Sequence, residues 1–268
     1  MGKVDGYLIA TDLDGTLNNS EHEISRENRE AIAYFQSEGG HVTLATGRSP
    51  QGVDQPLAAV RFNAPIILSN GCLIVHHETR EVLFETYLNP QSRAFCQAAK
   101  DAFPEVTLEV HKKEGVWVFD FNTYSKLHLE IVGIPPVLGG KLDEAADPWR
   151  KTLFLGTPKE LTALLAWAAS WDTRAYSFCF SNPVMLEMQS VSANKGNGVA
   201  FVADYLGISH DKVYCVGDEQ NDLPMLTRFH GYAPDNASAE IKAMVPLPLP
   251  SCDEHAIAAL IDRIEKSV

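Results

Sequence analysis

The chain has 268 residues, of which 45% are hydrophobic and 21% charged, and carries a formal charge of −13. That composition excludes a disordered or fibrous protein, and the acidic balance excludes a nucleic-acid-binding surface, which needs dense Lys and Arg to displace counterions. The length favours two domains, and an anionic ligand can be held only where a metal, a lysine or backbone amides make the surface locally positive.

In chain order, the apolar run 7–10 predicts a strand that ends in an acidic, glycine-containing turn. A helix over 26–36, a break at Gly39-Gly40, and strands over 41–45 and 66–68 follow, and this alternation implies a parallel sheet. From about Thr86 the texture changes to a helix over 90–102 and two alternating runs, 106–110 and 116–121, across the turn 112–115. After an irregular Pro/Gly-rich stretch the pattern recurs: a strand over 151–155, a helix over 158–171, and strands over 175–180 and 184–188 across Ser181-Asn182-Pro183. The recurrence suggests internal duplication. The last third returns to the first texture, with a helix over 198–206, a strand over 213–216, a helix over 223–227 and a C-terminal helix ending near Lys266. The expected architecture is a Rossmann-like α/β core with a parallel sheet, built from residues 1–83 and 191–268, with an α+β module inserted at 84–190.

The opening dozen residues hold too short an apolar run for a signal peptide, Gly6 stands where a myristoylation pattern wants Ser or Thr, and no stretch approaches the roughly 18 apolar residues of a membrane span. Cys72, Cys96, Cys179, Cys215 and Cys252 are scattered singly and odd in number, against a disulfide framework or a structural zinc site. A cytoplasmic location with reduced thiols is expected. No residue pattern speaks to oligomeric state.

Ligands of open parallel sheets sit beyond the carboxyl ends of the strands, and four polar clusters fall there. In Asp12-Leu13-Asp14-Gly15-Thr16, two carboxylates on alternate positions of an extended segment can approach one reacting group, one as nucleophile and the other as acid/base. A lone D-x-D is equally well an acidic turn. Thr46-Gly47-Arg48 offers a hydroxyl and backbone N–H groups suited to a phosphoryl oxygen, although a Thr N-cap with a Gly turn explains the tripeptide alone. Lys195, within Ser192-Ala193-Asn194-Lys195-Gly196-Asn197-Gly198, is a cation able to neutralise both a phosphoryl group and a nucleophilic aspartate; its surroundings fit no nucleotide-binding glycine loop. Gly217-Asp218-Glu219-Gln220-Asn221-Asp222 crowds acids into one turn, a repulsion that a hard divalent cation relieves. The competing reading is an acidic helix start.

In this order, D-x-D-G-T, T-G-R, a lone Lys in a glycine context and G-D-x-x-N-D, the clusters resemble the haloacid dehalogenase superfamily. Ser69-Asn70-Gly71, Asn221 to Met225, Gly231-Tyr232-Ala233, Asn236-Ala237, Lys242 and the insertion itself resemble its Cof-type phosphatases with a C2B cap. The resemblance implies that Asp12 attacks phosphorus while Asp14 protonates the leaving oxygen and later deprotonates water. It implies that Thr46, the Gly47 amide, Lys195 and Asn221 bind the phosphoryl group. Mg2+ would be held by Asp12, the Asp14 carbonyl and Asp218, with Asp222 supporting its waters. The implied substrates are small phosphorylated metabolites, sugar phosphates foremost. A phosphomutase or phosphotransferase using the same aspartyl ester and a non-catalytic phospho-ligand-binding regulator remain as alternatives. The family's Asp-Gly-Val is replaced here by Cys252-Asp253-Glu254-His255-Ala256-Ile257, a loop difference expected to be remote from the chemistry. His76 and His77, as strand neighbours, should face opposite ways and share no ion. Trp117, Tyr124, His128, Tyr176 and Glu187 could line a pocket in the insert, with core packing the competing reading for the aromatics.

Overall fold

The computed structural model describes residues 2–133, 135–245 and 247–267. The chain divides into two compact units, one of Met1–Gly47, Val53–Phe84 and Asn194–Val268, the other of Arg48–Gly52 and Glu85–Ala193.

The first unit is built on a five-stranded parallel sheet, in the order Pro248–Leu249, His230–Pro234, Val213–Val216, Leu8–Thr11, His41–Leu44. Leu8–Thr11 is buried along its whole length, as a strand covered on both faces must be, and its side chains alternate between two cores. Ile9 packs with Ile32 and Phe35 of the helix Arg26–Ser37 and with Leu260, Ile261 and Ile264 of the C-terminal helix Ala256–Glu265. Leu8 and Ala10 pack on the other side with Val199, Val202 and Ala203 of the helix Lys195–Leu206. Helix, sheet and helix layers result. A second, antiparallel sheet of Ile66–Leu68, Leu73–Val75 and Val82–Glu85 joins the first through a parallel bridge from Ala45 to Ile67.

The second unit is a six-stranded mixed sheet ordered Tyr176–Asn182, Met185–Ser190, Lys151–Leu155, Thr107–His111, Val116–Val118, Val137–Leu138. Leu108, Val110, Phe154, Leu186 and Met188 face the helices Ser92–Ala102 and Pro158–Ala168 in one apolar core. The alternate positions carry Glu109, His111, Lys151, Glu187 and Gln189, all buried. Glu109 Oε2 lies 3.0 Å from His128 Nδ1 and 3.3 Å from His111 Nε2, and Lys151 pairs with Glu187. His128, Tyr176 and Glu187 are therefore engaged within the insert, Tyr176 by donating to Asn89 Oδ1 at 2.6 Å.

The stretch expected to be irregular contains the helix Thr123–Val132, started by a capping box in which Asn122 and Ser125 bond each other's backbone N–H. This helix shortens the preceding strand to Val116–Val118. The cysteines are free thiols, four buried and Cys179 half-buried. Among the described residues no helix is long and apolar enough to cross a membrane.

Candidate active site

Parallel register sets the site. Leu8–Thr11 pairs with both Val213–Val216 and His41–Leu44, so Asp12, Gly217-Asp218 and Ala45-Thr46 leave the sheet at one carboxyl edge. Asp12 N–H still donates to Val216 O at 2.9 Å, and Ala45 N–H to Thr11 O at 2.9 Å. Beyond Asp12 the chain closes into a turn, with Asn18 N–H donating to Leu13 O at 2.8 Å. Simple strand alternation therefore does not relate Asp12 to Asp14, although Asp14 is near enough to push the Asp12 carboxyl up. Gly15 sits at φ +73°, and a Cβ there would lie 2.3 Å from Asp218 Oδ2; the turn needs glycine both for its backbone and for its closeness to that carboxylate.

Lys195 is the hub. It is the first residue of its helix, three residues earlier than periodicity placed it, because Asn194 caps the start by accepting from Asn197 N–H at 2.8 Å. A cation at the positive end of a helix is unfavourable, and a fully buried one more so. Two carboxylates hold it there: Nζ donates at 2.6 Å to Asp12 Oδ1 and at 2.6 Å to Asp222 Oδ1. Burial alone would lower the lysine's pKa, but this pair raises it. Asp222 is fully committed, its Oδ2 accepting the backbone N–H of Asp218 at 2.9 Å and of Glu219 at 3.1 Å. Asp218 Oδ1 accepts from Thr16 Oγ1 at 2.8 Å.

Asp12, Asp218 and Asp222 offer carboxylate oxygens within 4.8 Å of one another. Burial pushes the Asp12 carboxyl up to about 7 against the pull of Lys195. Burial, then Asp12 and Asp222, push Asp218 up to about 9. Three crowded, hard oxygen donors set against one ammonium fit a divalent cation such as Mg2+. Thr46 is buried, with its N–H bonded to Ile67 O at 2.9 Å, and Gly47 is half-buried at the same edge. Asn221 is buried and donates Nδ2–H to Asn70 Oδ1 at 3.1 Å, while its own Oδ1 has no partner among the described residues.

The structure adds three residues to which sequence reasoning gave no role: Thr16 on Asp218, Asn70 on Asn221, and Asn236, whose Nδ2 donates to Gly15 O at 2.7 Å. The Asn-Gly dipeptide and the threonine of D-x-D-G-T were the available signals. Asn236 also corrects an expectation. Its Oδ1 accepts Cys252 N–H at 2.8 Å, so the segment that departs from Asp-Gly-Val is one side chain away from the Asp12 turn, and His255 takes a left-handed φ of 66° there. His76 and His77 lie in the turn after Leu73–Val75, where alternation does not apply, and their rings stack 4.4 Å apart; His76 Nδ1 accepts the Glu78 and Thr79 backbone N–H groups.

Known proteins are similar to this chain over nearly its whole length. YwtE of Bacillus subtilis (strain 168), a 5-amino-6-(5-phospho-D-ribitylamino)uracil phosphatase, is 28% identical over 285 residues, covering 96% of this chain and 97% of YwtE. A haloacid dehalogenase-like hydrolase from Bacteroides thetaiotaomicron superposes with a TM-score of 0.84 at 24% identity, covering 96% of this chain and 99% of its own. The HAD subclass IIB sugar phosphatase BT4131 does so with a TM-score of 0.84 at 19% identity, covering 96% and 98%. The two structures establish the fold, an α/β core with an inserted sheet. The haloacid dehalogenase-like hydrolase family matches residues 9–261, from the strand before Asp12 into the last helix, and the chain belongs to that family.

Proposed function

We propose that the protein is a Mg2+-dependent phosphatase that hydrolyses small phosphorylated metabolites, sugar phosphates foremost, through a phosphoryl ester on Asp12. The observation that carries the reading is the buried Asp12–Lys195–Asp222 network beside Asp218. It holds a carboxylate nucleophile at a strand end with an ammonium on one oxygen, in a setting that favours a divalent cation. Support for the substrate class comes from YwtE, named for a phosphoribitylamino substrate, and from BT4131, named a sugar phosphatase.

In this reading Asp12 attacks phosphorus in line, and the P–O bond to the alcohol breaks as Asp14 gives that oxygen its proton. Asp14 then takes a proton from water, whose oxygen attacks phosphorus and releases Asp12 as a carboxylate and inorganic phosphate. Lys195, Thr46, the Gly47 amide and Asn221 hold the phosphoryl oxygens, and positioning and charge neutralisation supply most of the rate. Mg2+, held by Asp12, Asp218 and the Asp14 carbonyl with Asp222 in support, would supply charge neutralisation at the phosphoryl group. Residues 84–190 are proposed to be the substrate-selecting cap of the subclass.

The test is phosphate release from a panel of sugar phosphates and an aryl phosphate, with Mg2+, with chelator, and with Asp12→Asn. Turnover should require Mg2+ and fall by roughly 10^4-fold or more in the variant. Transfer of the phosphoryl group to a sugar acceptor without release would favour a mutase, and binding with no turnover would favour a regulator.

A further inference from the structure

We infer that Asn70 is a positioning residue that fixes the Asn221 amide for phosphoryl binding; the inference rests on the phosphatase reading above. Ser69, Asn70 and Gly71 form a turn with three successive residues in the left-handed region, at φ 50°, 54° and 89°. For Ser69 this conformation is costly, and such strain persists only where surrounding contacts impose it. Asn-Gly hairpin turns take positive φ at both residues on their own account, so the left-handed Ser69 is the part of the turn that joining Ile66–Leu68 to Leu73–Val75 does not demand.

Three contacts of the turn lead to the phosphoryl site. Asn70 N–H donates to Thr46 O at 3.0 Å. Asn70 Oδ1, fully buried, accepts from Asn221 Nδ2 at 3.1 Å. A Cβ on Gly71 would lie 2.5 Å from Asn194 O, the carbonyl just before Lys195. One turn thus touches the segments that carry Thr46, Lys195 and Asn221. Of the two N–H groups of the Asn221 amide, Asn70 takes one, and because the amide is planar this fixes the direction of the other. Asn221 Oδ1 and Ser69 Oγ are buried without a partner among the described residues. A buried polar atom left in that state is expensive; the Ser69 hydroxyl can donate to an incoming phosphoryl oxygen, whereas the Asn221 oxygen, an acceptor only, cannot.

The decisive comparison is a double-mutant cycle of wild type, Asn70→Gly, Asn221→Ala and the double variant. Its readouts are KM, affinity for inorganic phosphate by calorimetry with Mg2+ present, and hydrogen exchange of the Asn221 side-chain amide by NMR. Glycine keeps the left-handed backbone while removing the acceptor, so any loss of thermal stability should come from the lost hydrogen bond and not from the backbone. The inference requires Asn70→Gly to weaken phosphate binding about tenfold, as expected for one buried hydrogen bond to a charged ligand. It also requires the double variant to be no worse than Asn221→Ala, because Asn70 acts through Asn221. The Asn221 side-chain amide should exchange slowly in wild type, fast in Asn70→Gly, and slowly again in Asn70→Asp, which restores an acceptor oxygen and tolerates the backbone. Unchanged phosphate affinity in Asn70→Gly, independent effects that multiply, or an amide already fast in wild type would overturn the inference. A wild-type protein that releases no phosphate from any ester would sink the phosphatase reading alone, since the exchange measurement needs no turnover.

Discussion

Lys195 shows how far one side chain governs its neighbours. It is fully buried and joins two carboxylates that otherwise repel each other. Replacing it with Met leaves Asp12 and Asp222 buried without their cation, which should cost about 3–5 kcal/mol in urea unfolding without metal. Adding Asp12→Asn should return part of that loss. Asp12 and its neighbour Asp218 set an unusual pH dependence. Asp12 rises from 3.8 to about 7 and Asp218 from 3.8 to about 9, so the folded protein binds more protons than the unfolded chain across that range. Stability in chelator should therefore be greatest below pH 4 for these two groups and fall as pH rises towards 9. Mg2+ should reverse the trend and release protons on binding, which calorimetry in two buffers of different ionisation enthalpy would detect. A metal-free unfolding midpoint that climbs between pH 5 and 8 would refute this account, provided the signal comes from the unit that holds Asp12.

At the scale of elements, continuous apolar runs were easily read. Ile66–Leu68, Lys151–Leu155 and Val213–Val216 have the predicted bounds because burial on both faces, or steady alternation, leaves an unbroken signal. Elements whose stability comes from caps and packing were not. Thr123–Val132 is set by the Asn122 capping box, and Asn122 also donates to Leu155 O at 2.9 Å. Asn122→Ala should cost about 1 kcal/mol or slightly more, read as a lowered thermal midpoint of the insert. The motif residues of the site were legible because each follows a strand or opens a helix. Asn70 and Asn236 stand out only as part of the resemblance, and their roles were not legible, because these depend on partners 151 and 221 positions away in sequence, which no local pattern reveals. Within the inserted sheet, burial, opposed by the neighbouring His111 and His128 imidazoles, leaves Glu109 lowered to about 2, while burial also lowers His111. Both groups bind fewer protons when folded than unfolded. The insert should therefore lose stability in acid, first below about pH 6.5 as His111 must charge, then from about pH 4.5 down to about 2 as Glu109 protonates. Glu109→Gln should remove the second part.

For the whole molecule, the two units can be followed separately in solution because Trp117, Trp149, Trp167 and Trp171 all belong to Glu85–Ala193. Tryptophan fluorescence thus reports the insert, and the metal site belongs wholly to the other unit. Mg2+ should raise a far-UV circular dichroism midpoint, growing with concentration as expected for a ligand that binds only the folded form, while leaving the fluorescence midpoint in place. Equal shifts of both signals would show that the units unfold as one.

The interrupted parallel sheet also constrains how the chain is made. Leu8–Thr11 pairs on one side with His41–Leu44, which emerges early, but its other neighbour, Val213–Val216, lies some two hundred residues downstream. At ribosomal rates that delay is about 10–40 s. During it the strand offers an unpaired apolar edge, and Asp12 waits for a lysine 183 residues further on. The insert, with its own core, can collapse in the interval. A polypeptide released before Val213 would thus carry a folded insert and an open sheet edge, making it a substrate for chaperones and incapable of gripping a metal.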